Sequence, residues 1–200
     1  MADGETEILS PRSQSDLGAT ARKALDGRNL VLVGLMGAGK SAIGRLVANE
    51  LAVPFVDSDH EIERVSRMTI PELFEIYGEP EFRALERRVI KRLLKSGPQV
   101  ISTGGGAFMN EATRKAIKAN SLSVWLSADL EVLWERVSKR DNRPLLKTEN
   151  PKQTLKNLMD QRYPVYAEAD LTVISRDVRK EIIVDEVLLA IAAHLSGKDL

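Results

Sequence analysis

The run GLMGAGKS, which begins at Gly34, is the feature that most limits how this chain can fold. It follows the apolar run NLVLV and places three glycines within six residues, in a chain that has only 13. An interior glycine costs a helix or a strand about 0.5–1 kcal/mol relative to alanine. The run therefore predicts a loop between a buried strand and the amphipathic segment SAIGRLVANELA.

The spacing of this loop matches G-x-x-x-x-G-K-S, the phosphate-binding P-loop. Its backbone N–H groups can turn inward around an anion, and the following helix adds the positive end of its dipole. Lys40 is expected to reach the β- and γ-phosphates, and the Ser41 hydroxyl is expected to bind Mg²⁺. The sequence thus predicts a nucleoside triphosphate site formed by Gly37, Ala38, Gly39, Lys40, Ser41 and Ala42.

Composition narrows the class of protein further. The 200 residues suit one domain, and the 29 basic residues equal the 29 acidic ones, so no net charge attracts nucleic acid or a membrane surface. There is no cysteine, and no apolar stretch reaches the ~18–20 residues of a membrane span. We expect a cytoplasmic protein with a flexible tail over residues 1–28, which includes a short helix near Ala19–Leu25, and one domain over residues 29–200.

Apolar runs alternate with amphipathic segments along the rest of the chain. This alternation predicts a mostly parallel sheet covered by helices on both faces. The capping box TIPE at residues 69–72 predicts a helix that stops near Gly78. The segment 138–152 has no periodicity and is expected to be a lid. The expected strands are 29–34, 54–57, 99–103, 123–127 and 171–175, and the other expected helices are 80–94, 130–137 and 178–194.

Two groups of charged residues are candidates for a substrate site. Asp57 and Asp59 follow the second strand, at the edge where parallel sheets bind ligands. One carboxylate could face Mg²⁺ and the other an incoming hydroxyl, although acidic residues here can equally cap the next helix. Arg83 and Glu86 lie three residues apart on one helix, a spacing that an ordinary exposed ion pair also explains.

Three further motifs follow along the chain. The triplet Gly104–Gly106 after the third strand indicates a close approach to the backbone, or else a flexible connection. Arg143 lies in the expected lid, where an arginine can swing onto transferring phosphates or remain solvated. Arg162 lies near a proline break in a helix, where arginines are commonly structural.

Taken together, the motifs resemble those of the shikimate kinases. Six patterns occur in the order found in that family, over roughly residues 30–175. They are G-x-x-G-x-G-K-S, D-x-D, F-R-x-x-E, S-T-G-G-G-A, R-P-L-L and R-Y-P-x-Y. The resemblance implies an α/β, three-layer P-loop kinase fold with a five-stranded parallel sheet in the order 2-3-1-4-5 and a lid. It also implies ATP-dependent phosphorylation of the 3-hydroxyl of shikimate, in the biosynthesis of chorismate and the aromatic amino acids.

The resemblance also implies roles for single residues. Asp59 would contact the substrate hydroxyls, first as an orienting acceptor and second as a base, and Asp57 would join the Mg²⁺ shell. Arg83 and Arg162 would hold the shikimate carboxylate. The backbone of the triplet Gly104, Gly105 and Gly106 would face the substrate, with Gly105 in contact with it, and Glu86 would hold Arg83 in place.

The expected nucleotide contacts include three more arginines. Arg143 would share with Lys40 the charge on the transferring phosphoryl group, while Arg140 and Arg176 would border the adenine. The expected partners are ATP with Mg²⁺ and shikimate, without nucleic acid or membrane, in a monomeric protein. Gluconate kinases and adenylate-type kinases share the P-loop, and an ATP-dependent sensor built on a kinase fold is an alternative from a different class.

Overall fold

The computed structural model describes residues 15–139, 144–146 and 148–196. Five parallel strands form one sheet in the order β2-β3-β1-β4-β5, which confirms the predicted fold class and strand order. The strands are β1 Asn29–Val33, β2 Phe55–Asp57, β3 Val100–Ser102, β4 Ser121–Ser127 and β5 Leu171–Ile174. Each lies within about two residues of its expected range.

Eight α-helices and two short 3₁₀ turns connect these strands in the described part of the chain. The helices are α1 Asp16–Leu25, α2 Lys40–Glu50, α3 Ser58–Ser66, α4 Ile70–Leu93, α5 Glu111–Asn120, α6 Leu130–Ser138, α7 Pro151–Tyr166 and α8 Lys180–Ser196. The 3₁₀ turns are Ala107–Met109 and Pro144–Leu146.

The central strand β1 is buried at all five positions. Because successive side chains of a strand point to opposite faces, this burial shows that both faces of the sheet are covered. Helices α1, α2 and α8 pack on one another, whereas α4 packs against α3 and α5. The three-layer arrangement therefore follows from buried central strands and from helices that are apolar along one side.

Helix α4 illustrates how local chemistry shapes the fold. The Thr69 side chain accepts a hydrogen bond from the Glu72 backbone, and the Glu72 side chain accepts one from the Thr69 backbone, so the predicted capping box is present. At Gly78 the backbone leaves the helical region, with φ 76° and ψ 172°. The predicted helix end at Gly78 is thus a kink, after which the helix resumes and carries Arg83 and Glu86.

Part of the amino-terminal region that the sequence predicted as a flexible tail is folded, and the predicted short helix near Ala19–Leu25 is present as α1. Residues 1–14 lie outside the described residues, but α1 packs against α8, with Ala21 and Leu25 buried. The Ser15 hydroxyl caps α1 and donates a 2.6 Å hydrogen bond to Glu50 at the end of α2. Two buried side chains in a short ten-residue helix are a weak sequence signal, so packing on α8 was not evident.

Leu25→Ala is expected to lower the free energy of unfolding by about 2–4 kcal/mol, because it leaves a cavity between α1 and the body of the domain. Urea denaturation measures this loss. Lys23→Ala, at an exposed position of the same helix, is the control and should change stability by less than about 0.5 kcal/mol. Equal stability of the two variants would mean that α1 is not held against α8.

The expected lid is described only in part. Residues 140–143 and 147 lie outside the described residues, while Pro144–Leu146 forms a 3₁₀ turn in which Leu146 is buried and Leu145 is exposed. Its expected limits overlap two helices, since Ser138 ends α6 and Pro151 begins α7. Among the described residues, none of the helices combines the length and apolar character needed to cross a bilayer.

Candidate active site

The P-loop connects β1 to α2 at the carboxyl edge of the sheet. Strand β1 pairs with β3 on one side and β4 on the other, so the loop opens where the strand order reverses, the usual ligand position in such sheets. Gly37 has φ 86°, and a Cβ there would lie 2.9 Å from Val137 Cγ1. The loop can therefore close this tightly against α6 only with glycine at this position.

Lys40 begins α2 and folds back over its own loop. Its Nζ donates hydrogen bonds to the carbonyl oxygens of Gly34 at 2.8 Å and Leu35 at 3.1 Å. A cavity of about 1550 Å³ is lined by five of the expected nucleotide contacts, Gly37, Gly39, Lys40, Ser41 and Ala42. The sixth expected contact of this loop, Ala38, is buried. The loop thus forms part of the wall of a cavity that is large enough for a nucleotide and a second small molecule.

Ser41 and Asp57 provide a pair of hard oxygen atoms beside the P-loop. The Ser41 hydroxyl donates a 2.7 Å hydrogen bond to Asp57 Oδ2, while Asp57 Oδ1 accepts one from the Asp59 backbone at the start of α3. Asp57 therefore caps the helix, as one alternative held, and it also lines the cavity. Oxygen donors of this kind suit Mg²⁺, which protein sites usually bind through one or two side chains together with nucleotide phosphates.

The second carboxylate, Asp59, lies on the cavity wall beside the glycine triplet. Burial, together with the charges of Asp57 and Glu86, raises the pKa of Asp59 from 3.8 to about 6, while Lys40 acts in the opposite direction. At neutral pH the carboxylate is therefore mainly ionised but readily accepts a proton. A group with this pKa is suited to receive a hydroxyl proton during catalysis.

Asp59→Asn is expected to stabilise the fold at pH 8 by up to about 3 kcal/mol. The pKa of Asp59 is higher in the folded protein than its ordinary value, so stability is lost as pH rises through about 6 and the carboxyl ionises. Asparagine stays neutral and avoids this loss. Urea unfolding should show the difference at pH 8 and almost none at pH 3.5, whereas the exposed Asp160→Asn should show little at either pH.

The triplet Gly104–Gly106 makes the close approaches that its composition predicts. A Cβ on Gly104 would lie 2.5 Å from Asp59 Oδ1 and 3.3 Å from Glu86 Oε1. A Cβ on Gly106 would lie 2.5 Å from Arg83 Nη1. The protein's own charged side chains therefore pack directly on this backbone, and the alternative of a merely flexible connection does not account for these contacts.

Arg83 and Glu86 form more than the exposed ion pair that their spacing alone suggests. Arg83 Nη1 lies 2.8 Å from Glu86 Oε2, and the Glu86 side chain is only 3% exposed. Burial raises the pKa of Glu86, while the charges of Arg83 and Arg162 partly offset this effect. Glu86 thus holds Arg83 against the triplet, and its carboxylate also interacts electrostatically with Arg162.

Arg162 reaches the triplet from α7. A Cβ on Gly105 would lie 3.3 Å from Arg162 Nη1 and 3.6 Å from the Gly34 carbonyl oxygen. Gly105 therefore lies between this arginine and the P-loop. The expected substrate residues from α3, α4, α7 and the loop after β3 are close together and adjoin the phosphate-binding loop.

The expected adenine side contains one cavity-lining arginine that the sequence did not reveal. Arg136 of α6 lines the cavity and donates hydrogen bonds to the Gly37 carbonyl, the Ser175 hydroxyl and the Arg176 carbonyl. Arg176 also lines the cavity, and its guanidinium pairs with Glu186. Arg140 and Arg143 lie outside the described residues.

Comparison with known proteins identifies the family. A family model described as shikimate kinase matches residues 36–192. The chain belongs to the shikimate kinase family. A shikimate kinase of Rhizobium leguminosarum bv. trifolii is 76% identical over 170 residues, which cover 85% of this chain and 87% of that relative. One of Rhizobium meliloti is 70% identical over 188 residues, covering 94% and 97%.

A solved structure agrees with this membership. The shikimate kinase from Acinetobacter baumannii in complex with shikimate has a TM-score of 0.82 and 37% identity, and the match covers 86% of this chain and 97% of that one. The chain is therefore an enzyme of the kinase class. This result decides against the gluconate kinases, the adenylate-type kinases and the non-catalytic sensor that the P-loop alone allowed.

Proposed function

We propose that this protein transfers the γ-phosphoryl group of ATP to the 3-hydroxyl of shikimate, giving shikimate 3-phosphate and ADP. The observation that carries the proposal is the glycine triplet. It brings Asp59, Arg83 and Arg162 together beside the P-loop. One carboxylate acceptor and two arginines suit a small molecule that carries both a carboxylate and hydroxyl groups.

Arg83 and Arg162 are proposed to bind the shikimate carboxylate, with Glu86 fixing Arg83 and the backbone of Gly104, Gly105 and Gly106 facing the ring. Arginine can bind a carboxylate through two parallel hydrogen bonds, which fixes the direction of the ring as well as its position. The carboxylate would thereby direct the hydroxyl toward Asp59. The match to a relative solved with shikimate supports this substrate.

The chemical step is proposed to involve Asp59 and the phosphate-binding loop. The shikimate hydroxyl oxygen forms a bond to the γ-phosphorus, and the bond to the bridging β–γ oxygen breaks, leaving its electron pair on ADP. Asp59 orients the hydroxyl and accepts its proton. Lys40, together with Arg143 of the lid, offsets the charge on the transferring group, since such reactions depend mainly on positioning and charge stabilisation.

Nucleotide binding is assigned to the loop and its neighbours. Gly37, Ala38, Gly39 and Ala42 form or support the phosphate cradle, while Arg140, Arg136 and Arg176 border the base. Ser41 and Asp57 would hold Mg²⁺ with the phosphates of ATP, where the ion supplies charge neutralisation when bound. We further propose a monomeric, cytoplasmic enzyme, in which the lid over residues 138–152 excludes water.

Measuring ADP release with ATP and Mg²⁺ tests this function. Shikimate should stimulate ADP release, while gluconate and nucleoside monophosphates should not. ADP release at the same rate with and without shikimate would retain the nucleotide site but overturn the substrate assignment. Size-exclusion chromatography with light scattering tests the monomer proposal separately.

A further inference from the structure

We propose that Tyr166 is a positioning residue for substrate binding, and that its hydroxyl anchors the backbone of Gly105 beside Arg162. This inference rests on the proposed function, because both of these residues are assigned to the shikimate site. Tyr166 ends α7, four residues after Arg162, and its side chain is completely buried. Within the R-Y-P-x-Y motif, the family resemblance assigns a role to the arginine alone.

The Tyr166 hydroxyl lies where the glycine triplet meets the carboxylate clamp, which is the pair Arg83 and Arg162. It donates a hydrogen bond to the carbonyl oxygen of Gly105. A Cβ on Gly105 would lie 3.7 Å from this hydroxyl and 3.3 Å from Arg162 Nη1, so the hydroxyl and the guanidinium adjoin the same backbone position. One phenol thus fixes the backbone beside which one arm of the clamp lies.

The ring of Tyr166 is held in place by other aromatic side chains. Its centroid lies 6.1 Å from that of Trp125, 6.3 Å from that of Tyr163 and 6.4 Å from that of Phe108. These distances are typical of packed aromatic pairs. Because the ring is enclosed on several sides, the hydroxyl has a defined position. This position in turn fixes the Gly105 carbonyl to which the hydroxyl is hydrogen-bonded.

The carbonyl of Gly105 matters because its peptide plane fixes neighbouring backbone groups. The N–H of residue 106 belongs to the same peptide unit as the Gly105 carbonyl, so a hydrogen bond to that carbonyl sets the plane of both. A glycine triplet has unusual backbone freedom and needs such an anchor to keep one orientation. Tyr166 supplies the anchor from a rigid helix rather than from another loop.

Tyr163 provides a matched control in the same helix and the same aromatic cluster. Its hydroxyl also donates to a backbone carbonyl, that of Ala128, and its ring contacts Trp125 edge-on at 4.9 Å. Neither Gly105 nor Arg162 is its partner in these contacts. Tyr163→Phe therefore removes a comparable hydrogen bond without removing the anchor of the triplet beside the clamp.

The test compares steady-state kinetics of Tyr166→Phe and Tyr163→Phe, measured well below the Tm of each variant. Tyr166→Phe is expected to raise the KM for shikimate about tenfold, while kcat and the KM for ATP change less than about threefold. Tyr163→Phe should change the KM for shikimate less than about twofold. Equal KM values in the two variants, or loss of folding by Tyr166→Phe alone, would overturn the positioning role.

A double-mutant cycle with Arg162→Lys tests whether the hydroxyl acts through the clamp. In the Arg162→Lys background, Tyr166→Phe should raise the KM for shikimate less than about threefold, because the coupled partner is already lost. A full tenfold rise in that background would contradict the proposed link. If shikimate fails to stimulate ADP release by the wild-type enzyme, the proposed function falls first; if it does stimulate release, these variants test the inference alone.

Discussion

Asp59→Asn lowers kcat by a factor of about 100 to 10,000, while the KM for ATP stays within about twofold, if Asp59 receives the substrate proton. The carboxylate lies against the backbone of Gly104, where a Cβ would approach Asp59 Oδ1 to 2.5 Å. Asparagine has nearly the same shape and can still orient a hydroxyl. It cannot accept a proton, so the loss falls on turnover.

The same ADP-release assay measures this effect, with Asp160→Asn as a control that changes a carboxylate to an amide on the exposed side of α7. The wild-type rate should also fall as pH drops below about 6, because the pKa of Asp59 lies there and the protonated acid cannot accept a second proton. If the kcat of Asp59→Asn lay within threefold of the wild-type value, Asp59 would have no part in the chemical step and its role would be structural only.

Arg83→Lys raises the KM for shikimate about 10- to 100-fold, a larger effect than a change between two cations suggests. Lysine keeps the charge but loses the planar fork that can bind a carboxylate through two hydrogen bonds. It also weakens the pairing with Glu86, which is almost fully buried and would retain a poorly compensated charge. We therefore expect a loss of stability in addition to the loss of substrate affinity.

Arg88→Lys is the matched control, since Arg88 is exposed on the same helix and lies outside the glycine contacts. Its KM for shikimate should equal that of the wild type. A KM for Arg83→Lys within twofold of the wild type would show that the guanidinium geometry is not used. Thermal unfolding of both variants separates the structural loss from the loss in binding.

Local sequence patterns predicted the sheet and the P-loop well. Each strand is a short apolar run, and the burial of β1, β3 and β4 follows from that composition, whereas the edge strands β2 and β5 are only partly buried. The capping box at Thr69 and the break at Gly78 are also local signals, and both appear in α4. The strand order came from resemblance to a family, because alternation of strands and helices allows several orders.

The missed features depend on contacts between distant parts of the chain. Tyr166 bonds to a residue 61 positions away, and Arg136 bonds to one 99 positions away. A tyrosine after a proline and an arginine on an amphipathic helix have ordinary local explanations, so neither indicates its partner. The packing of α1 was missed for the same reason, because α8, against which it packs, lies at the other end of the described sequence.

The tight packing of charged side chains on the glycine triplet has a consequence for drug resistance. A methyl group at Gly104 would collide with Asp59, and one at Gly106 would collide with Arg83. Either change would displace a group that the enzyme is proposed to need. An inhibitor that binds the backbone of this triplet would therefore leave few substitutions there that both block the inhibitor and preserve activity.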